Sequence, residues 1–154
     1  MTTTGPLIGF LPFDRLTVAQ RAAVASTARQ VSIDSGQPIF EEEQPAVGCW
    51  LIHSGHIELS THVPGRGSVV LQTLGPGDLL GLSWLVPPYR WHFTATAVEP
   101  TTATKLDTER LRQLAADDPS LGYPLVLAMF EELLTRLQST RARLLQLYRS
   151  PREQ

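Results

Sequence analysis

The chain has 154 residues, 13 basic and 15 acidic side chains, a formal charge of −2 and 42% hydrophobic content. That length and apolar content suit one core and exclude a disordered, collagen-like or purely coiled-coil chain. The near-neutral charge argues against a phosphate backbone as main partner, so no direct nucleic-acid contact is expected. A single cysteine, Cys49, permits neither an internal disulfide nor a thiolate cage. The opening Met1–Pro6 has no basic-then-apolar leader pattern and no run is long enough to span a bilayer. A cytoplasmic domain without membrane contact is the expectation.

In chain order, residues 1–12 form an N-terminal segment, 13–118 a helix plus barrel, 119–149 a long helix and 150–154 a tail. Residues 13–30 are predicted as a short amphipathic helix, because Thr17 and Gln20 make a capping-box pair ahead of Ala22, Ala23 and Val24. Over 31–107, Gly and Pro punctuate short apolar runs: Cys49–His53, His56–Val63, Ser68–Leu74 and Trp91–Val98. Ile57, Leu59 and Thr61 alternate with Glu58, Ser60 and His62, the period of a half-buried strand. Pro64-Gly65-Arg66-Gly67 closes a hairpin onto the next strand. Turn signals at this spacing favour a small barrel or jelly roll, and no crossover helices for a parallel sheet fit between them.

Residues 108–149 return to helix, with Asp117-Asp118-Pro119-Ser120 as a start signal. From Leu121 to Tyr148 the helix would run about 40 Å. Val126, Phe130, Leu133, Leu137, Thr140, Leu144 and Leu147 repeat at heptad spacing, apolar except for Thr140. Leu125, Met129, Leu134 and Leu145 add a second apolar line. Two lines suit a helix that covers its own barrel with one face and pairs with a second copy through Val126, Phe130, Leu133, Leu137, Leu144 and Leu147. A homodimer is therefore expected.

Three motifs in this order carry a resemblance. Cys49-Trp-Leu-Ile-His-Ser-Gly55-His-Ile-Glu-Leu resembles the apolar-Gly hairpin of cyclic-nucleotide-binding domains. Leu74-Gly-Pro-Gly77-Asp-Leu-Leu-Gly81 resembles the run leading into their phosphate-binding cassette. Arg136-Leu-Gln-Ser-Thr140-Arg is similar to the dimerisation helix of the catabolite activators. The resemblance implies a mainly β fold with flanking helices: an eight-stranded antiparallel jelly-roll barrel, a short N-terminal helix and a long C-terminal dimer helix. It also implies a non-enzymatic regulatory module that binds a cyclic nucleotide or related anion, with no metal and no other cofactor. The ligand-binding positions it suggests are Gly81, Leu82, Ser83, Trp84, Arg90, Trp91, His92, Thr140 and Arg141.

The cassette departs from the family pattern. Leu82 stands where a glutamate accepts the ribose hydroxyl, and Trp91 stands at the phosphate-arginine position, with Arg90 one residue early and His92 one late. A one-residue shift in a strand reverses the face, so Arg90 serves only if the Pro87-Pro88 turn re-aims it. Glu43-Gln44 replaces a Gly-acidic turn.

Each residue has a plainer alternative. Arg90 is either the anion partner, as the only cation expected near Gly81–Leu85, or an exposed arginine. Trp84, Tyr89, Trp91 and Phe93 either fill a closed barrel or offer a stacking platform. Ser83 either meets a phosphate or caps the short helix. Thr140 either reaches a base from the dimer helix or sets coiled-coil register. Glu41–Glu43 and Arg136, Arg141, Arg143, Arg149 and Arg152 are expected on solvated faces. His53 and His56 have the wrong spacing for a jelly-roll metalloenzyme, and Cys49 is expected in the core. The competing function is a ligand-free scaffold that keeps the fold with a degenerate cassette. With six residues after Tyr148, no helix-turn-helix is expected, and a separate, unidentified protein partner would carry any output.

Overall fold

A computed structural model describes residues 14–149; the expected 1–12 segment, the 150–154 tail and Arg152 lie outside that range. Among the described residues, eight strands form two four-stranded sheets: β1 (Ala28–Ile33), β8 (Thr101–Leu106), β3 (Cys49–Ser54) and β6 (Leu79–Leu80) in one, β2 (Pro38–Phe40), β7 (Thr94–Ala97), β4 (Ile57–Val63) and β5 (Gly67–Leu74) in the other. Every pairing is antiparallel. This is the mainly β barrel the glycine and proline spacing predicts. Leu51, Ile52, Ile57, Leu59, Leu79, Leu80 and Leu106 fill it, each at most 2% exposed.

Local chemistry sets the element ends. Helix α1 (Val18–Ala25) opens on a complete Thr17–Gln20 capping box. It stops earlier than the predicted residue 30. The Ser26 and Thr27 hydroxyls donate to the carbonyls of Ala23 and Val24, and from Ala28 the chain pairs with β8 instead. The predicted strand 91–98 shrinks to β7, because residues 89–91 bond to residues 43–46. In β4 the alternation holds for buried Ile57 and Leu59 and then breaks at a register shift between Leu59 and Ser60.

Helix α2 (Thr108–Asp117) is N-capped by Asp107, whose carboxylate accepts from the N–H groups of Glu109 and Arg110. Helix α3 (Pro119–Arg149) begins with proline in its first turn, and the Asp118 carboxylate accepts from Ser120. Leu121, Leu125, Ala128 and Met129 bury its first part. Leu111 of α2, at 0% exposure, joins the same core.

Candidate functional site

Residues 79–93 form the candidate cassette. Strand β6 runs into Gly81, whose φ of 100° excludes a side chain without strain. A Cβ there would stand 3.0 Å from the Gly48 carbonyl oxygen and 3.2 Å from the Trp91 ring. A 3-10 turn, Ser83–Leu85, follows with Leu82 at its N-cap and no side-chain cap bond. Ser83 therefore does not cap it: it sits at the first helical position, past the geometry a cap requires. Trp84 is fully buried, and its indole Nε1 donates to Gly81 O at 3.1 Å, folding the turn onto the glycine.

Beyond Pro87-Pro88 and Tyr89, a short ladder fixes which side chains face inward. Ala46 N donates to Tyr89 O, Trp91 N to Gln44 O and Glu43 N to Trp91 O, all within 2.8–2.9 Å. Arg90 consequently faces solvent, with its Nη1 donating to Glu43 O at 2.8 Å. Trp91 faces the barrel at 2% exposure and stacks on Phe40 with centroids 3.7 Å apart. Trp50 and Phe93 complete the cluster, 5.7 and 5.9 Å from Phe40. His92 is exposed.

Arg90 is not the only cation here. From α2, Arg112 donates to Trp84 O at 2.6 Å and lies 4.6 Å from the centre of the Tyr89 ring. The sequence pattern of α2 alone does not direct Arg112 to the cassette, because the contact depends on how α2 docks on the barrel.

Helix α3 grips the strand that enters the cassette. Arg136 donates to Leu79 O, and Glu132 accepts from Leu79 N at 3.4 Å, with Arg136 and Glu132 themselves 3.4 Å apart. Both side chains are mostly buried, at 12% and 15% exposure. Burial pushes the Glu132 carboxyl above its ordinary value against the pull of Arg136. Arg136 is thus a docking residue, contrary to the solvated role expected of it, whereas Arg143 stays exposed as expected while donating to Leu71 O. The i,i+4 spacing of Glu132 and Arg136 was the available sequence signal. Cys49 is fully buried, and burial holds its thiol far above the ordinary range, so it stays protonated.

Thr140 and Arg141 are exposed. The Thr140 hydroxyl donates to Arg136 O at 2.9 Å, so it has a partner within the helix. Among the described residues no hydrogen bond or ion pair joins Thr140 or Arg141 to the cassette. Val126, Phe130, Leu133, Leu137, Leu144 and Leu147 are 49–68% exposed, whereas Leu125 and Met129 are buried against the barrel. An apolar groove of about 270 Å³ connects this face to the cassette, lined by Leu82, Leu85 and Val86 on one side and by Val126, Met129, Phe130 and Leu133 on the other. Among the described residues no helix is long and apolar enough to cross a membrane.

Comparison with known proteins bears on the family and the fold. The model of the cyclic nucleotide-binding domain matches residues 30–118, more than half of the chain. A CRP-like cAMP-activated global transcriptional regulator of Mycobacterium tuberculosis is 26% identical over 112 residues, 73% of this chain and 50% of that protein. The chain thus spans about half the length of the curated relatives it matches. A candidate cyclic nucleotide-binding protein from Geobacter metallireducens GS-15 superposes with a TM-score of 0.80 at 26% identity, covering 89% of this chain and 99% of that one. The catabolite activator protein of Thermus thermophilus gives 0.67 at 26% identity, over 89% of this chain and 62% of that one.

Proposed function

We propose that this chain, which belongs to the cyclic nucleotide-binding domain family, is a non-enzymatic regulatory module that senses a cyclic nucleotide or related anionic small molecule and acts as a homodimer. The observation that carries this reading is the double role of α3. Its Glu132 and Arg136 hold both backbone groups of Leu79 at the entrance to the cassette. Its Val126, Phe130 and Leu133 meet Leu82, Leu85 and Val86 in one groove while remaining half-exposed for a second copy. A ligand that shifts the cassette therefore shifts the surface through which the dimer would form. The output partner would be a separate protein.

Ligand contact would come from Gly81–Trp84, where the uncapped turn offers backbone N–H groups to an anion. Leu82 supplies no acceptor for a ribose hydroxyl, which costs about 1–3 kcal/mol. Cyclic AMP is accordingly expected to bind weakly. The scaffold reading has its own support: the Phe40–Trp91 stack occupies the barrel interior and Arg90 faces outward.

A thermal-shift titration with cyclic AMP and cyclic GMP separates the two. A ligand at 100 times its Kd adds about 2.7 kcal/mol. A concentration-dependent rise in Tm that Leu82→Glu moves to lower ligand concentration supports the sensor. No rise with either nucleotide, for either protein, removes cyclic AMP and cyclic GMP as ligands and favours the scaffold.

A further inference from the structure

A second concavity lies away from the cassette, and none of residues 81–92 lines it. It is a cavity of about 320 Å³ where the α1–β1 turn, the loop entering β3 at Val47-Gly48 and the start of α2 converge. Three cations line it: Arg29 from β1, Lys105 from β8 and Arg110 from α2. Arg29 and Lys105 are direct cross-strand partners in the β1–β8 ladder, a placement in which like charges repel. Among the described residues neither forms an ion pair. Lys105 rests its ammonium 5.3 Å from the centre of the Trp50 ring, and Arg110 spends one N–H on Ser26 O at 3.3 Å.

Asp107 is the one acid in the lining, and its carboxylate already accepts from Glu109 N and Arg110 N at 3.1 and 3.2 Å. It caps the helix and does not bridge Arg29 or Lys105. The wall at Gly48 is kept open by the absence of a side chain, since a Cβ there would lie 2.7 Å from the Trp50 ring and 3.1 Å from Lys105 Cε. Three cations against the one Asp107 carboxylate, in a chain of net charge −2, leave the lining with a net positive charge that no other described lining residue offsets.

We propose that this cavity binds a small phosphoryl-bearing anion, at a site separate from the cassette. A multiply charged oxyanion satisfies several guanidinium and ammonium donors at once and cancels the Arg29–Lys105 repulsion. The volume matches a small-molecule pocket, which favours a metabolite-sized ligand over an extended acidic chain.

Pyrophosphate is the probe, titrated into the full chain at ionic strength held constant with sodium chloride and followed by Tm and by amide NMR shifts. The wild type should gain Tm, with shifts centred on Arg29, Gly48 and Thr108. Arg29→Gln should weaken binding at least tenfold while melting no lower than wild type without ligand, because it removes a repulsion. Lys105→Gln should weaken binding to a similar degree, and Arg90→Ala should leave it unchanged. The proposal fails if sodium chloride alone reproduces the Tm gain, or if the shifts centre on Leu82–Trp84. It also fails if both glutamine variants bind as tightly as wild type, or if a poly-glutamate peptide binds here and pyrophosphate does not. Cyclic-nucleotide binding is read separately at the cassette, so either result stands without the other.

Discussion

Glu43 shows how one residue records the divergence of this barrel. Its φ is 75°, a left-handed backbone that an L-residue adopts at a cost of about 1–2 kcal/mol. The resemblance places a glycine-containing turn at this point, and the structure explains why: Glu43 N must reach Trp91 O while Glu43 O receives Arg90. The glutamate side chain is exposed and the ladder uses only backbone atoms. Glu43→Gly should therefore relieve the strain, offset by about 0.4–1 kcal/mol of extra freedom in the unfolded chain. The net expectation is a gain of about 0.5–1 kcal/mol, measured as a higher urea midpoint at unchanged m-value. A lower midpoint would mean that the side chain makes a stabilising contribution of its own. The same ladder decides the neighbouring residues. One position apart, Arg90 and Trp91 go to opposite faces, and the aromatic one enters the barrel.

At the scale of elements, what was legible in the sequence was what neighbouring residues decide among themselves. Thr17–Gln20, Pro64–Gly67 and Asp118–Pro119 each satisfy backbone groups within a few positions, and each appears in the structure where its pattern lies. Elements decided by distant partners end elsewhere than their local pattern predicts. The end of α1 yields to pairing with β8, and the start of β7 yields to residues 43–46. The clasp of α3 on β6 is of the second kind, because nothing in the heptad pattern says that Glu132 and Arg136 reach Leu79. Its energetics can be tested through pH. Burial raises the Glu132 pKa above the ordinary 4.5, so the folded state holds that proton more tightly than the unfolded state. The stability this group contributes is fully present below pH 4.5 and is lost as pH rises through the raised value. Glu132→Gln keeps an acceptor for Leu79 N and does not ionise. The Tm of the variant minus that of wild type should therefore increase between pH 4 and pH 7. A difference that stays constant across that interval would show that Arg136 cancels the burial penalty.

At the scale of the whole molecule, α3 is covered only along its first part: of the second apolar line, Leu134 and Leu145 are 42% and 48% exposed, so the expected barrel-covering face stops at Met129. Leu125 and Met129 are at most 2% exposed against the barrel, whereas Val126, Phe130, Leu133, Leu137, Leu144 and Leu147 remain 49–68% exposed along one line. A line of half-exposed large apolar side chains is costly to leave in water, and its heptad spacing matches that of a second identical helix. Thr140 fits within it because its hydroxyl is already bonded to Arg136 O. The protomer's own core does not depend on this line, and that separates assembly from folding in a way the sequence alone did not. Replacing Leu133 and Leu137 together by glutamate places charges on positions that are 53% and 62% exposed in the protomer, so its fold should tolerate them. Across a two-fold axis the same change buries four carboxylates in an apolar seam, a penalty of several kcal/mol per unpaired charge. Light scattering should find the wild type at twice 17.0 kDa and the double variant at 17.0 kDa, with an unchanged circular dichroism spectrum. A wild type that runs as a protomer at micromolar concentration would remove the dimer from the proposed mechanism, and the groove between cassette and α3 would then have to signal within one chain.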